Sequence, residues 1–246
     1  MNSLLSDNEK KLLDFKDLRD LPRNSKLYKY LTWDNAVLML KNYNLQFTTA
    51  KNLNDKEDCN ISMINFDYLN TSADTIGKQI DNKIIDSLCA KLEPQIDNFH
   101  ICSLGTSYHN KTLWERYACD NGICIELDYE NIINHCIETN KMVAAYMVNY
   151  VPNTKNIVPF KLFQENEIMF FYLLLYTKNI EKWEPEEEAR IVLIEKNKEP
   201  FVRINLSKQC YSRIITGKSC TDKQIIELMN IVKDKKLEID LVHLKE

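Results

Sequence analysis

An acidic run that ends in an arginine precedes a hydrophobic segment in the C-terminal half of the chain. Residues 184–190 read Glu-Pro-Glu-Glu-Glu-Ala-Arg, and four aliphatic residues follow. Alternate side chains of a strand share a face, so an extended backbone from Glu186 would place Glu186, Glu188 and Arg190 together. Crowded carboxylates raise one another's pKa and a nearby arginine lowers it, so this set could hold a cationic or hydroxyl-rich ligand. The alternative is a solvated acidic loop with a Glu188–Arg190 ion pair.

A pair of aromatic residues begins a second motif, at residues 113–128. Trp114 and Tyr117 are three positions apart, so a helical turn would put them on one face. Asn121 and Gly122 suit a sharp reversal, and the residues after them alternate as in a strand. The pattern predicts a helical turn, a tight loop and a strand. It could form a pocket wall or an ordinary core, because Trp and Tyr bury large areas whatever the function.

Tyrosines also lie on the first predicted strand, at residues 26–31. Tyr28 and Tyr30 would share one face of this strand, and Lys29 would take the other. A helix is predicted directly after Thr32.

A turn-rich loop follows the second predicted strand. Its residues Asn54, Asp55 and Asp58 have short polar side chains that bond to nearby backbone. The alternative to a ligand-binding role is therefore a solvated loop that caps itself.

Composition and length indicate one globular domain. The chain has 246 residues, of which 44% are hydrophobic and 28% charged, and it carries a net charge of −4. Four glycines exclude a Gly-rich phosphate loop, and the net charge gives no global reason for nucleic-acid binding. The N-terminus does not resemble a signal peptide, and the longest apolar run, residues 168–176, is too short to span a bilayer. We expect a cytoplasmic protein without a membrane partner.

Cysteine spacing does not indicate a metal site. The eight cysteines are spread along the chain without a Cys-x-x-Cys pair, and no two histidines have helical spacing. We expect reduced thiols and no metal.

The remaining periodicity predicts alternating strands and helices after a polar helical lead-in at residues 1–24. The closing strand, glycine turn, helix and strand form a βαβ-like unit. The other predicted helices cover residues 80–92 (ending at Pro94), 129–138, 160–176 and 221–235, and the strands cover 45–49, 99–104, 123–128, 142–151, 190–194, 201–206, 212–216 and 238–244.

Three separated motifs together resemble the DUF2971 family of uncharacterised bacterial proteins, over about residues 27–217. Lys56 stands where that family commonly has proline. The motifs are Leu27-Tyr28-Lys29-Tyr30 followed by a helix and Asn54-Asp55-x-x-Asp58; Leu113-Trp114-x-x-Tyr117-Ala118 followed by Gly122 and a strand; and Trp183-x-x-Glu186-x-Glu188-x-Arg190.

The same layout is more distantly similar to the ADP-ribosyltransferase fold. That resemblance implies one α+β domain at residues 25–246, with a central mixed, mainly antiparallel and split sheet flanked by helices. It also implies residue roles. Tyr28 or Tyr30 would hold the ligand, with Lys29 in place of the usual first-strand His or Arg. Tyr117 or Trp114 would stack nicotinamide, and Glu188 or Glu186 would be the catalytic acid, with Tyr117 beside it. The rest of the ligand-binding set would be Asn54, Asp55, Trp183 and Arg190.

The implied activity is consumption of NAD as a substrate. The enzyme would transfer ADP-ribose to a protein or nucleic-acid acceptor, or hydrolyse NAD, in the role of a toxin or phage-defence effector. One alternative is a non-catalytic nucleotide-sensing or protein-binding module that keeps the pocket. Another is a nuclease-like enzyme that binds a divalent metal through the acidic run, although no partner Asp or His set is evident for Glu186 and Glu188.

Overall fold

The computed structural model describes residues 21–67, 69, 82–139, 141, 143–195 and 199–244. It confirms an α+β fold with a mixed central sheet flanked by helices. The strands are β1 (Lys26–Leu31), β2 (Asn44–Thr49), β3 (Ile64–Asn65), β4 (Phe99–Gly105), β5 (Ile123–Asp128), β6 (Val143–Met147), β7 (Asn149–Val151), β8 (Val158–Pro159), β9 (Thr177–Asn179), β10 (Glu188–Ile194), β11 (Phe201–Asn205), β12 (Tyr211–Thr216) and β13 (Asp240–His243).

Helices connect most of these strands. Helix α3 is short and continues directly into a π-helical turn, Trp114–Ala118. The helices are α1 (Trp33–Asn42), α2 (Asn82–Ile96), α3 (Lys111–Leu113), α4 (Tyr129–Glu138), α5 (Phe160–Glu165), α6 (Glu167–Tyr176), α7 (Ile180–Trp183) and α8 (Asp222–Lys235).

The central sheet branches at β4. Its nine strands include the path β11-β2-β4-β1-β5-β12-β13, with β10 paired to β4 and β6 paired to β10. Strand β10 pairs along the whole of β4. The opposite edge of β4 is shared, because β2 pairs with it at His100 and Ile101 and β1 pairs with it at Gly105. Strands β1 and β2 therefore diverge from one edge and leave an opening between them.

The C-terminal βαβ prediction is confirmed. Strands β12 and β13 pair in parallel, and α8 connects them. Thr221 and Gln224 form a capping box at the start of α8, which satisfies backbone donors that a helix start leaves free.

The single helix predicted at residues 160–176 is wrong, because α5 and α6 are separate helices. Asn166 lies between them and accepts a hydrogen bond from the Met169 backbone N–H. Helix α6 is buried almost throughout, as its apolar density predicts. Pro94 does not end its helix and lies inside the last turn of α2.

The single strand predicted at residues 142–151 is also wrong. Strand β6 pairs with β10 in the central sheet, whereas β7 pairs in parallel with β9 in a separate sheet of two strands. The predicted lead-in at residues 1–24 falls largely outside the described residues.

Apolar side chains fill both sides of the sheet. Helices α1, α4 and α8 pack in a cluster with Leu27, Phe47 and Ile125, and α6 packs with Ile101 and Val192. Among the described helices, none has the length and hydrophobicity needed to cross a bilayer.

Candidate functional site

A cavity of about 460 Å³ lies where β1 and β2 diverge. Its walls include β1, β2, β4, β10 and the loop at residues 52–58. The register places Glu188 opposite Gly105 and Arg190 opposite Ser103, so both charged side chains lie on the face of β10 that meets this opening. All the predicted site residues except Trp114 line this cavity.

Arg190 is the centre of a buried ion-pair cluster beside the cavity. Its Nε donates to Glu188 Oε1 at 2.7 Å, and its Nη1 donates to Asp58 Oδ1 at 3.0 Å and to the Leu175 carbonyl at 2.5 Å. Its Nη2 also pairs with Asp58 Oδ2. Arg190 has no exposed surface, and Glu188 is 3% exposed. The Glu188–Arg190 ion pair of the alternative interpretation is therefore present, but it is buried and not part of a solvated loop.

Lys178 on β9 joins this cluster, although it was not among the predicted site residues. Its Nζ donates to Glu188 Oε2 at 2.8 Å and lies 3.6 Å from Glu186 Oε2 and 3.9 Å from Asp58 Oδ2. The side chain is 6% exposed. A buried ammonium costs several kcal/mol unless it is paired, and these carboxylates supply the pairing.

Glu186 has a different environment from Glu188. Its Oε1 accepts hydrogen bonds from Arg116 Nη1 and from the Tyr117 hydroxyl, both at 2.9 Å. Its Oε2 accepts none from the described residues. The extended backbone does not start at Glu186, since Glu186 ends a 3₁₀ turn, Glu187 has a left-handed backbone with φ of 46° and β10 begins at Glu188. That reversal still turns both carboxylates toward Lys178.

The charges of the cluster fix the ionisation of Glu188. Burial alone would raise the pKa of Glu188, but Arg190 and Lys178 outweigh it and lower the pKa to about 2. Glu188 is therefore a carboxylate at neutral pH and has no proton to donate: its Oε1 accepts from Arg190, and its Oε2 accepts from Lys178 and, at 3.4 Å, from Arg190. Burial would lower the pKa of Arg190, but Asp58 and Glu188 raise it well above its ordinary value.

Tyr117 acts as a hydrogen-bond donor to Glu186. Burial, and then the neighbouring carboxylate of Glu186, raise the pKa of its hydroxyl far above the ordinary value. The π-helical turn carries Tyr117 and Arg116 together, so one backbone segment places both donors on the same oxygen of Glu186.

The hydroxyl groups of the two first-strand tyrosines are bonded within the protein. Tyr30 donates to the Ser107 carbonyl at 2.5 Å, and Tyr28 donates to Glu126 Oε2 at 3.1 Å. Burial and Glu126 raise the pKa of Tyr28 to about 12. These tyrosines offer the cavity their ring surfaces, while Lys29 donates to the Ser103 carbonyl at 2.9 Å inside the opening.

Trp114 supports the cavity wall from behind. Its Nε1 donates to the Tyr108 carbonyl at 2.8 Å, and its ring packs edge-on against Tyr30 at 5.3 Å between centroids. The predicted role of Trp114 in stacking a ligand has no support in this geometry.

Trp183 lines the cavity, and two cations lie against its ring. Lys178 Nζ lies 4.1 Å from the ring centroid and Arg116 Cζ lies 5.1 Å from it. Asp55 lines the cavity as well, and it also caps its own loop, since its Oδ1 accepts from the Glu57 N–H at 3.1 Å.

Three residues of the cluster have no role in the set that the resemblance implies: Asp58, which the sequence analysis names only as a loop residue, and Lys178 and Arg116, which it does not name. Asp58 belongs to the Asn54-Asp55-x-x-Asp58 motif, and Arg116 lies between the two aromatic residues of the second motif, so spacing could have indicated both. Lys178 follows a dense apolar segment, and this position was the one sequence signal that it is buried.

Among the described residues, no group of three His, Cys, Asp or Glu side chains could hold a metal ion. Comparisons with protein-family models, curated proteins and solved structures found no match. The resemblance to the DUF2971 family and to the ADP-ribosyltransferase fold therefore stays a prediction.

Proposed function

We propose that this chain is an NAD-consuming enzyme, either an ADP-ribosyltransferase or an NAD glycohydrolase, in which Glu186 contacts the ribose. The observation that carries the proposal is the carboxylate of Glu186. It is 3% exposed, it lines the cavity, and its Oε2 accepts no hydrogen bond from the described residues. Lys178 Nζ lies 3.6 Å from this Oε2, beyond hydrogen-bond distance. Glu188, in contrast, accepts hydrogen bonds from cations at both oxygens, from Arg190 Nε at Oε1 and from Lys178 Nζ at Oε2.

The proposed chemistry needs a buried anion near the ribose. The bond between ribose C1 and the nicotinamide nitrogen breaks, its electron pair leaves with neutral nicotinamide, and positive charge develops on the sugar. A fixed carboxylate stabilises that charge in the transition state. Water then attacks C1 and releases a proton to give ADP-ribose, or an acceptor nucleophile attacks instead and loses its proton. Tyr117 and Arg116 would keep Glu186 in place during this step.

NAD carrying a traceable adenosine group provides the first test. The purified protein is incubated with it alone, with cell lysate and with RNA, while nicotinamide release and label transfer are followed together. Release with transfer identifies a transferase and its acceptor class, and release without transfer identifies a glycohydrolase. The absence of both would refute the proposal.

Glu186 and Glu188 form a matched pair for mutagenesis, because both are buried glutamates of the same cluster. We expect Glu186→Gln to lower kcat by about 100-fold or more, as loss of transition-state electrostatics does. Glu188→Gln should act mainly on stability. Full activity in a folded Glu186→Gln protein would remove Glu186 from the mechanism.

A non-catalytic nucleotide-binding module is the second candidate. It is favoured by Glu188, one of the two glutamates that the resemblance offers as the catalytic acid, because Arg190 and Lys178 occupy both of its oxygens. This candidate predicts that NAD or ADP-ribose raises the melting temperature without product formation.

A further inference from the structure

The charges of the site form a continuous alternating chain. In order of contact they are Asp58, Arg190, Glu188, Lys178, Glu186 and Arg116, so that every neighbouring pair has opposite sign. Only Arg116, at 40% side-chain exposure, is substantially open to solvent.

Lys178 occupies the middle of this chain. On one side it is hydrogen-bonded to Glu188, which Arg190 ties to Asp58. On the other side it lies 3.6 Å from Glu186 Oε2, the oxygen that Arg116 and Tyr117 leave unbonded. The same ammonium also lies against the Trp183 ring. Lys178 thus links a rigid buried ion-pair cluster to a carboxylate at the cavity wall.

We propose that Lys178 is a positioning residue, which holds the Glu186 carboxylate and the Trp183 ring in the arrangement that the reaction requires. The inference rests on the proposed function of Glu186. Lys178 itself need not touch the substrate, since it acts through Glu186. Arg116 and Tyr117 fix one oxygen of Glu186, and Lys178 attracts the other, so the carboxylate plane is defined from both sides.

Lys178→Met tests this role, because methionine keeps an unbranched side chain but removes the charge. We expect kcat for NAD to fall by about 100-fold with little change in KM, since a small misplacement of a reacting group has an effect of this order. Lys178→Arg should recover part of kcat. Lys182→Met is the matched control: Lys182 is on the neighbouring helix α7, is 56% exposed and pairs with Glu57, and its loss should leave kcat unchanged.

A charge-balanced double variant separates positioning from stability. Lys178→Met leaves this row of six alternating charges with one excess negative charge and should lower the melting temperature. Adding Glu188→Gln removes that excess, so the melting temperature should partly recover while kcat stays low. Recovery of kcat together with the melting temperature would overturn the positioning role and leave a structural one.

A crystal structure of Lys178→Met gives a readout that does not need activity. We expect the Glu186 carboxylate to rotate from its present contacts with Arg116 and Tyr117. A carboxylate that superposes on the wild-type position would overturn the inference. A wild-type protein without NAD turnover would instead refute the proposed function, so the two failures are distinguishable.

Discussion

At the scale of single residues, the site depends on charges that the fold removes from water. An isolated buried charge is strongly unfavourable, so each cation here lies against carboxylates. Two glutamates of similar burial thereby acquire different properties. Both oxygens of Glu188 accept hydrogen bonds from cations, whereas Glu186, which lines the cavity, has one oxygen that accepts none from the described residues.

Glu188 should make the stability of the protein depend on acidic pH. Burial opposes ionisation of Glu188, yet Arg190 and Lys178 lower its pKa from 4.5 to about 2. Because the folded pKa lies below the unfolded one, the stabilisation is complete above about pH 4.5 and is lost as the pH falls toward 2. Its size is on the order of 3 kcal/mol. Urea unfolding at a series of pH values would measure it.

Glu188→Gln should flatten this acid dependence and lower stability at neutral pH, by about 3–5 kcal/mol, because Arg190 and Lys178 lose a buried partner. Glu57→Gln, which breaks an exposed pair with Lys182, should keep the wild-type acid slope. An unchanged slope in Glu188→Gln would contradict the assignment of this ion pair.

The spacing of Glu186, Glu188 and Arg190 could be read from the sequence, because acidic residues before an aliphatic run are conspicuous. Their burial could not. Most charged residues are solvated. Of the partners that reverse this expectation, Asp58 is 132 positions from Arg190, and Lys178, ten positions from Glu188, lies on a different strand. Lys178 in particular has no local motif, since its partners meet it only when β9 and β10 are in place.

At the scale of elements, the break between α5 and α6 shows how a polar residue overrides apolar density. The run at residues 160–176 is apolar enough for one buried helix. Asn166 interrupts it because its side chain caps the Met169 N–H at 3.1 Å, which an uninterrupted helix would not allow. Asn166 followed by Glu167 was the sequence signal for this break, because an N-cap asparagine with an acidic first turn marks a helix start.

Asn166→Ala should therefore destabilise α6 and not merge the two helices. Loss of an N-cap costs about 1 kcal/mol, which corresponds to roughly 2–4 °C in melting temperature for a chain of this size. Calorimetry would measure the shift. Asn166→Asp retains the cap and should remain within about 0.5 kcal/mol of the wild type. A larger loss for Asp than for Ala would contradict the capping role.

Gly122 packs closely against the last residue of the π-helical turn that carries Arg116 and Tyr117. A Cβ at this position would come within 2.0 Å of the Ala118 carbonyl oxygen and 2.4 Å of the Leu31 carbonyl oxygen. Both are backbone atoms that cannot rotate away. Gly122→Ala should thus cost on the order of 3 kcal/mol in the free energy of unfolding, measured in urea.

Gly105→Ala is the control for this prediction. Its Cβ would meet the end of the Leu113 side chain at 2.6 Å, and that side chain can move. We expect a cost of about 1 kcal/mol. Equal losses in the free energy of unfolding for the two variants would contradict this prediction, because they would show that the backbone around residue 122 shifts to accept a Cβ.

At the scale of the whole molecule, the cavity follows from the branched sheet. One edge of β4 cannot pair with β1 and β2 over the same residues, so the two strands separate and expose Ser103 between them. Lys29 binds the exposed carbonyl. The strands themselves were predictable from alternation of apolar residues, but their order was not, because pairing of distant segments leaves no periodic signal. Local pattern thus predicted most elements and the residues near the cavity, and only tertiary pairing shows why they meet.

A ligand in the opening between β1 and β2 should slow amide hydrogen exchange on both of these strands. We expect ADP-ribose to slow amide hydrogen exchange at residues 28–32, 44–55 and 183–190, which border the cavity. Residues 222–243 form α8, β13 and the loop between them, border no part of it, and serve as an internal control. Binding stabilises the segments that the ligand contacts in the folded state, so protection should rise there with ligand concentration. Protection confined to residues 222–243, or to only one of the strands β1 and β2, would place the ligand outside the opening between them.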